Sequence, residues 1–392
     1  GLRPGGRRHP GLIPMTSSPP SASQAGDRSA SQPEGRSRDR SVSELVAAAR
    51  GGERRATARL LTLVERGGPL ADEVAERAWT VLGGGAGATD GNRAHVIGLT
   101  GPPGAGKSTL VAAWTTRLVE QGHRPAVLAV DPSSPLTGGA ILGDRVRMAE
   151  ATAAGVFIRS MATRGHAGGL ALAVPGMVRV LDLAGFDPVI VETVGVGQVE
   201  VDVASAADTV LVVVTPGMGD AVQANKAGLL EVADLFAVNK SDRPDAADTR
   251  RDLELMLDLS DLTGHGRTGA GTGPRSRPSI ISTVATTGVG VDDLATATDA
   301  HMAALMADGA LAGRREDRWR AEVRSHLDHL LLDASRRAVA GPVAGSLPES
   351  GSPAAVARSM LGQMAEQLLA DPTGGLPDGP TGQGGAAAEG DR

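Results

Sequence analysis

Short, continuous apolar runs alternate with stretches of helical periodicity through the middle of the chain. The apolar runs lie at residues 96–99, 126–130, 189–191, 210–214, 235–238 and 280–284. Because apolar side chains follow one another without polar alternation, both faces of each strand are expected to be buried. The pattern predicts an α/β fold in which a mostly parallel sheet has helices on both faces.

Helical periodicity continues on both sides of this region. Residues 42–81 predict a helical arm with breaks at Gly51 and Gly67. After residue 291 the pattern is again helical, and the last helices are expected to pack on another surface, such as a second copy of the chain. The predicted divisions are a disordered tail (1–41), the helical arm and its linker (42–90), the main domain (91–298), a C-terminal helical region that dimerises (299–371) and a second disordered tail (372–392).

Composition narrows the classes of function. The 392 residues include no Cys, which excludes disulfides, thiolate metal ligands and Cys nucleophiles. The net charge of -6 argues against nucleic acid as the main partner. No apolar run reaches the ~20 residues that span a bilayer, and prolines near the N-terminus interrupt the amphipathic helix that a transit peptide needs. We therefore expect a cytoplasmic protein without a membrane partner.

The first chemical motif follows the apolar run at 96–99 and precedes a helix-forming stretch. It matches the phosphate-binding pattern GxxxxGK[ST] in full. Its residues are Gly101, Pro102, Pro103, Gly104, Ala105, Gly106, Lys107, Ser108 and Thr109. In such a loop the backbone N–H groups converge on phosphate oxygens, Lys107 reaches the β- and γ-phosphates, and Ser108 is placed to bind Mg²⁺.

The second motif follows the apolar run at 235–238 and has the form NKxD. Asp242 can accept hydrogen bonds from guanine N1–H and the 2-amino group, which adenine lacks, while Lys240 packs on the base and Asn239 joins neighbouring loops. At the end of the last run, the predicted base-contacting loop is the segment 283–286, with Val284, Ala285 and Thr286 as the residues expected at the nucleotide. The two motifs together predict a GTPase that binds GTP and GDP.

Phosphoryl transfer also needs a metal ion and positive charge. Asp131 and Glu192 end apolar runs, and Asp144 lies in the segment Gly-Asp-Arg-Val-Arg, so these carboxylates are candidates for direct or water-mediated contact with Mg²⁺. The chain has only three Lys, Lys107, Lys226 and Lys240, and each falls in a segment of nucleotide chemistry where a compact ammonium is needed.

These residues resemble those of the MeaB/ArgK-type GTPases, the G proteins associated with methylmalonyl-CoA mutase. The matching segments are 101–110, 129–135, 137–144, 190–198 and 219–240, and the run Glu-Thr-Val-Gly-Val-Gly-Gln at 192–198 is more specific than the phosphate loop. The resemblance spans roughly residues 95–298. It implies a P-loop NTPase fold of the SIMIBI type with an N-terminal helical arm and a C-terminal dimerisation extension.

The resemblance further implies a homodimeric chaperone that docks on an adenosylcobalamin-dependent acyl-CoA mutase, gates cofactor loading and helps to remove damaged cofactor. It implies that Asp131, Asp144 and Glu192 are the acids of the Mg²⁺ site. It also implies that Lys226 lies in a mobile segment that couples partner binding to hydrolysis. The sequence departs from the family pattern at Val284, where Ser is frequent, and at Ala221, where an acid is usual.

Two alternatives remain from the residues. A metal-insertion GTPase of the hydrogenase or urease maturation type would have the same sheet but would need a site rich in His or Cys, and this chain has eight scattered His. A kinase linked to amino-acid transport would transfer the phosphate to an acceptor and not to water. The sequence does not distinguish among methylmalonyl-, isobutyryl- and ethylmalonyl-CoA mutase as the partner.

Overall fold

The computed structural model describes residues 40–85, 93–131, 149–162, 169–193, 206–217, 232–263, 276–340, 357 and 361–362. All of them belong to one compact unit that begins at Arg40. Within this part of the chain, no helix is both long enough and apolar enough to cross a bilayer.

The centre of the described part is a seven-stranded sheet in which every pairing is parallel. The strands are β1 (Val96–Thr100), β2 (Ala126–Asp131), β3 (Phe157–Ala162), β4 (Val189–Thr193), β5 (Thr209–Val214), β6 (Leu235–Asn239) and β7 (Ser279–Thr283). Their order across the sheet is β3-β2-β4-β1-β5-β6-β7. The order reverses around β1, and ligands of such sheets bind beyond the carboxyl ends of the strands at the point of reversal.

Helices cover both faces of the sheet, as the apolar runs predict. The helices are α1 (Val42–Arg50), α2 (Arg54–Arg66), α3 (Pro69–Val81), α4 (Lys107–Glu120), α5 (Ala149–Ala153), α6 (Gly169–Leu183), α7 (Ala246–Thr263), α8 (Val291–Ala307) and α9 (Ala310–Ala340). The apolar core between the sheet and helices α4, α5 and α8 includes Trp114 and Leu294. On the other face, α6 and α7 pack in a second core that also takes in the helices before β1.

The three N-terminal helices pack directly on the main domain. Leu60, Leu61 and Val74 are fully buried, and α2 and α3 both contact α6. Arg159 of the edge strand β3 pairs with Glu65 of α2, and both side chains are largely buried. The arm is therefore joined to the edge of the sheet by apolar packing and a shielded ion pair.

The C-terminal helices begin on the sheet domain. Helix α8 buries Val291, Leu294 and Leu305 and contacts α4 and β7. The division expected between residues 298 and 299 therefore falls inside one helix. That helix ends at Ala307, and Asp308 and Gly309 separate it from α9. After residue 340, the C-terminal helical region predicted for 299–371 lies largely outside the described residues.

Charged side chains on α9 hold its first turns at the end of the sheet where the strands begin, which we call the amino edge. The opposite end, where the strands finish, is the carboxyl edge. Arg314 donates two hydrogen bonds of 2.8 Å to the carboxylate of Asp234, which lies just before β6. Arg315 pairs at 3.1 Å with Asp208, which lies just before β5. Because both acids precede strands, α9 is attached to the edge opposite the phosphate loop.

The α/β architecture predicted from the apolar runs is confirmed, and all six predicted strands are present. The structure adds β3, which pairs only with β2 in the described part of the sheet. Its sequence, Phe-Ile-Arg-Ser-Met-Ala, lacks the continuous apolar pattern because one side of an edge strand is open to polar partners.

Candidate nucleotide site

The phosphate loop connects β1 to α4 at the carboxyl edge of the sheet. Gly101 has φ 141°, and a Cβ there would lie 2.1 Å from the carbonyl oxygen of Val213. Gly106 has φ 87°, and a Cβ there would lie 2.4 Å from Nδ2 of Asn239. Glycine is required at both positions because a side chain would collide with the neighbouring strand end or with the base motif. The loop can therefore lie against β5 and β6 while presenting the N-terminus of α4.

Lys107 begins α4 and folds back over the loop. Its Nζ donates hydrogen bonds of 2.7 Å to the carbonyl oxygen of Gly101 and 3.2 Å to that of Pro102. The residue is only 6% exposed, so the ammonium is held within the loop. A buried cation at a helix N-terminus is an arrangement suited to a polyanion.

Ser108 and Glu192 form the second part of the site. The Ser108 hydroxyl donates a 2.7 Å hydrogen bond to Oε1 of Glu192, and both residues are buried. They meet because β4, which carries Glu192, pairs directly with β1. A hydroxyl and a carboxylate at this distance are hard oxygen donors of the kind Mg²⁺ prefers, so the residues present fit that ion.

Of the other acids expected at the Mg²⁺ site, the structure describes only the backbone of Asp131. Asp131 ends β2, and its backbone lies at the same edge because β2 pairs with β4. Its side chain, together with all of Asp144 and Lys226, lies outside the described residues. The geometry therefore brings Ser108 and Glu192 together, while the metal roles of Asp131 and Asp144 and the catalytic role of Lys226 stay predictions.

Asn239 joins the phosphate loop to the last base loop. Its Nδ2 donates to the carbonyl oxygen of Ala105 at 2.9 Å. Its Oδ1 accepts from the backbone N–H of Ala285 at 3.1 Å and from the hydroxyl of Thr283 at 3.3 Å. Because Asn239 is buried, these bonds fix the spacing between the phosphate and base ends of the site.

Lys240 crosses from the base motif to the phosphate loop. It has φ 59°, a left-handed conformation that is uncommon for a residue other than glycine, and its Nζ donates to the carbonyl oxygen of Gly104 at 2.9 Å. Uncommon backbone conformations of this kind persist where the surroundings hold them and are frequent at ligand sites. The Lys240 side chain thus spans from the base motif to the phosphate loop.

Asp242 follows two residues after Lys240 and is exposed. The backbone N–H of Ser241 donates to the carbonyl oxygen of Thr283 at 3.0 Å, which holds the motif against the last loop. In that loop Val284 N–H donates to Val289 at 2.9 Å, Ala285 is buried and Thr286 is exposed. An exposed carboxylate beside an ordered backbone loop can read a hydrogen-bonding base edge.

The sequence predicts Thr283 as the first residue of the last base loop, but not its contact with Asn239. Its side chain is buried, and its hydroxyl supports Asn239. A threonine at the carboxyl end of a buried strand beside a base motif is the signal that would have identified it.

Comparisons with known proteins place these features in context. Residues 57–340 match the family model described as methylmalonyl Co-A mutase-associated GTPase MeaB. A Pyrococcus horikoshii protein named as a putative GTPase is 45% identical over 285 residues, which cover 72% of this chain and 85% of that protein. The GTPase ArgK of Escherichia coli is 42% identical over 202 residues, 51% of this chain and 60% of that protein.

The chain is also similar to a mitochondrial protein and to a solved structure. The mitochondrial methylmalonic aciduria type A homolog of Mus musculus is 36% identical over 222 residues, 56% of this chain and 52% of that protein. The solved structure of an LAO/AO transport system kinase aligns with a TM-score of 0.56 at 27% identity, covering 83% of this chain and 98% of that one. The fold and the segments around the site are therefore shared with proteins of one group.

Proposed function

The chain belongs to the family of methylmalonyl-CoA mutase-associated GTPases, MeaB, and from that premise we propose that its GTP hydrolysis gates cofactor loading and release on an adenosylcobalamin-dependent acyl-CoA mutase. The family membership confirms the resemblance found in the sequence, and with it the assignment as a P-loop GTPase. The chaperone cycle, the mutase partner, the homodimer and the cytoplasmic setting are the proposal.

The observation that carries the proposal is the extent of the family match. It runs from residue 57 in α2 to residue 340 at the end of α9. A generic nucleotide fold would account for the sheet and its covering helices but not for the arm or for α9. Because most of the arm and all of α9 are included, the family's association with a mutase is the best guide to the partner.

The residues of the site suit hydrolysis of GTP. Water attacks the γ-phosphorus, the bond from that phosphorus to the bridging oxygen breaks, and the bridging oxygen leaves on GDP. Lys107 and the backbone of the phosphate loop stabilise negative charge on the phosphates, and Asp242 selects guanine. Ser108 and Glu192, with Asp131 and Asp144 as further acids, would hold Mg²⁺, which neutralises charge on the phosphate oxygens when bound.

Control by the partner is proposed to act through Lys226. Described residues stop at Gly217 after β5 and resume at Val232 before β6, so Lys226 belongs to the connection between two strands that end at the nucleotide site. If docking of the mutase brings this ammonium to the phosphates, turnover is slow alone and rises by about 10 to 10³-fold with the partner.

The test measures GTP turnover of the wild type and of Lys226→Ala, each with and without purified methylmalonyl-, isobutyryl- or ethylmalonyl-CoA mutase. The proposal expects stimulation by one mutase, lost in Lys226→Ala while the basal rate and mutase affinity are unchanged. Absence of stimulation by any of the three contradicts the mutase partner. Full stimulation of Lys226→Ala removes Lys226 from the mechanism and leaves the GTPase assignment intact.

The homodimer is supported by an apolar stripe on α9. Trp319, Val323, Leu327 and Leu330 follow one another at spacings of three and four residues, and each is at least 39% exposed. Such a stripe on one face of a helix is typical of a surface that packs against another helix. Light scattering should give twice the chain mass for the wild type and the monomer mass for Leu327→Glu.

One alternative has a specific observation in its favour, since the neighbour with the TM-score of 0.56 is titled a transport system kinase. A kinase would leave the γ-phosphate on an acceptor. Incubation with γ-labelled GTP and native lysate separates the two functions, because a GTPase releases the label as inorganic phosphate and a kinase transfers it to a protein or small molecule.

A further inference from the structure

A cavity of about 300 Å³ lies at the amino edge of the sheet, between α4 and α8. Residues just before β1 and β4 and the first turns of α9 also line it. Its volume is at the lower end of the range of ligand pockets in proteins. The GTPase chemistry described above takes place at the carboxyl edge and uses none of the residues that line this cavity.

Much of the cavity wall is apolar. Leu118 of α4, Met302 and Met306 of α8, and Leu311 of α9 all contribute to it. Met306 is 48% exposed, so its side chain lies where the cavity meets solvent. Methionine side chains are flexible and pack well on aromatic rings. These residues can therefore pack against the hydrocarbon part of a small ligand.

A chain of polar contacts fixes the His95 ring at the cavity wall. Nε2 of His95 lies 2.7 Å from the hydroxyl oxygen of Thr209, which lies 2.8 Å from Nδ1 of His301. Nε2 of His301 lies 3.5 Å from the carboxylate of Asp234. An ionised carboxylate can only accept, so the neutral His301 ring carries its proton on Nε2, facing that acid.

These contacts leave His95 with an acceptor that has no partner. Nδ1 of His301 accepts from the Thr209 hydroxyl, and the hydroxyl oxygen accepts from the Nε2–H of His95. Burial lowers the pKa of His95, which keeps its ring neutral, so its Nδ1 carries a lone pair. No hydrogen bond within the described residues reaches Nδ1, yet this atom is not among their fully buried, unpartnered polar atoms. Nδ1 therefore keeps accessible surface in a residue that is 8% exposed and lines the cavity.

Two carboxylates add negative charge to the same lining. Asp187, just before β4, and Asp299, on α8, both line the cavity and are exposed. Their charges oppose the lowering of the His95 pKa, so both carboxylates lie near that ring. Within the described residues, the Asp187 carboxylate accepts from the backbone N–H of His95 at 2.9 Å, and neither acid has an ion-pair partner.

The arginines of the lining are already paired. Arg93 lies 2.7 Å from Asp182, and Arg315 lies 3.1 Å from Asp208. His123, the remaining ionisable residue of the lining, is exposed. The unmatched groups are therefore two carboxylates and one imidazole lone pair. All three favour a ligand that brings N–H donors and positive charge.

We propose that this cavity is a second ligand site, separate from the nucleotide site, which takes a small organic cation. Its ammonium, amidinium or guanidinium head would face Asp187, Asp299 and Nδ1 of His95, and its apolar body would pack between α4 and α8. The site goes beyond the proposed function and does not depend on the identity of the mutase partner.

The test follows the methionine methyl signals of the protein by NMR, because Met302 and Met306 both line the cavity. Met302→Leu and Met306→Leu variants assign the two signals. The probe is benzamidine, a phenyl ring with an amidinium head, added to full-length protein saturated with Mg²⁺ and GDP so that the nucleotide site is filled. At pH 8 benzamidine is a cation, and the solution lies above the usual titration range of histidine. The expected result is a saturable shift of at least one of the two signals, caused by the phenyl ring.

The role of charge is tested with a neutral probe and with two matched variants. Benzamide has the shape of benzamidine without the charge, and it should bind at least about 10-fold more weakly. Asp299 and Asp293 are exposed acids of α8, and only Asp299 lines the cavity. Asp299→Asn should weaken benzamidine binding by about 3 to 10-fold, whereas Asp293→Asn should change it by less than about twofold.

The location is tested with two neighbouring residues of α8. Ala303 lines the cavity and Ala304 does not, and both are exposed, so phenylalanine at either position is expected to leave the fold unchanged. Ala303→Phe should abolish the benzamidine shift, whereas Ala304→Phe should retain it.

Four outcomes overturn the proposal. No saturable shift of the Met302 or Met306 signal means that the cavity does not take such a cation. Equal affinity for benzamidine and benzamide means that charge does not select the ligand. Equal effects of Asp299→Asn and Asp293→Asn mean that the lining acid makes no specific contact. An unchanged shift in Ala303→Phe means that the ring binds elsewhere.

Discussion

Charged side chains are buried both at the carboxyl edge, where the strands finish, and at the amino edge, where they begin. The partners of those charges differ. At the carboxyl edge, the Lys107 ammonium contacts the backbone carbonyls of Gly101 and Pro102. At the amino edge, the Asp208 carboxylate lies 3.1 Å from both Arg315 and Arg318 and accepts a hydrogen bond from the backbone N–H of Val96. The described contacts of Lys107 are thus with backbone carbonyls, whereas those of Asp208 include two arginine side chains.

This difference distinguishes the candidate nucleotide site from the structural contact that attaches α9 to the sheet. Asp234 accepts from Arg314 and from the backbone N–H of Val210, and His301 lies 3.5 Å away. Burial opposes ionisation of this acid, but His301 and Arg314 outweigh it and lower its pKa. Such pairs compensate their desolvation within the protein and fix one arrangement of α9. The carbonyl partners of Lys107 are weaker competitors, which a triphosphate can replace.

The largest expected effect is on catalysis and tests the carboxyl edge. Lys107→Ala should lower the rate of GTP hydrolysis by about 10⁴-fold because the charge nearest the phosphates is removed. The fold should be retained with a loss of about 1–2 kcal/mol, because the hydrogen bonds to the loop carbonyls of Gly101 and Pro102 are lost. Phosphate release and circular dichroism measure the two quantities.

The Lys107→Ala result needs a metal control. Excess chelator should stop hydrolysis by the wild type, since Ser108 and Glu192 are expected to hold Mg²⁺. Turnover that persists in the variant or in chelator would show that this loop is not catalytic.

The next effect is on stability and tests the amino edge. Arg315→Met should lower the free energy of unfolding by about 3–5 kcal/mol, because it leaves the buried Asp208 carboxylate short of one of its cations. Urea unfolding measures the loss. At temperatures where the variant is folded, its turnover should stay within about twofold of the wild type, because residues at this edge do not touch the nucleotide. A large loss of turnover with unchanged stability would contradict the separation of the two edges.

A third effect concerns the choice of base. Asp242→Asn should change the preference from GTP towards XTP by about 10²-fold, because one acceptor of the carboxylate becomes a donor that matches the xanthine edge. Competition binding of the four nucleotides GTP, XTP, ATP and ITP measures it. Equal affinity of the wild type for ATP and GTP would contradict the base assignment.

The sequence predicted the carboxyl edge better than the amino edge. Motifs at 101–109 and 239–242 are local in sequence, so their residue types and spacing are enough to predict a phosphate loop and a base motif. The sequence predicts that Asn239 joins neighbouring loops. The atoms it joins, Ala105 and Ala285, could not, because they depend on β6 lying two strands from β1.

The amino edge had no local signal. Asp208 and Arg315 are 107 residues apart, and nothing in either segment shows that α9 returns to the start of β5. The burial of Lys107 was also missed, since its exposure depends on how closely the loop lies against β5 and β6. The edge strand β3 was missed because Arg159 interrupts the apolar pattern and its partner, Glu65, comes from the arm.

The smallest expected effect is the pH dependence of stability at the amino edge. Burial raises the pKa of Asp208, but the charges of Arg318 and Arg315 and a hydrogen bond from Arg315 outweigh it and lower the pKa from 3.8 to about 2. The folded state therefore binds fewer protons than the unfolded state between these values, so the stabilisation is present above pH 4 and is lost as the pH falls towards 2. The shift corresponds to about 2 kcal/mol.

Measured by urea unfolding, the difference in stability between the wild type and Asp208→Asn should shrink by that amount from pH 5 to pH 2. Asp242→Asn serves as the matched control, because it removes an exposed carboxylate that makes no described contact with α9. A constant difference for Asp208→Asn would mean that its charge does not hold α9 on the sheet.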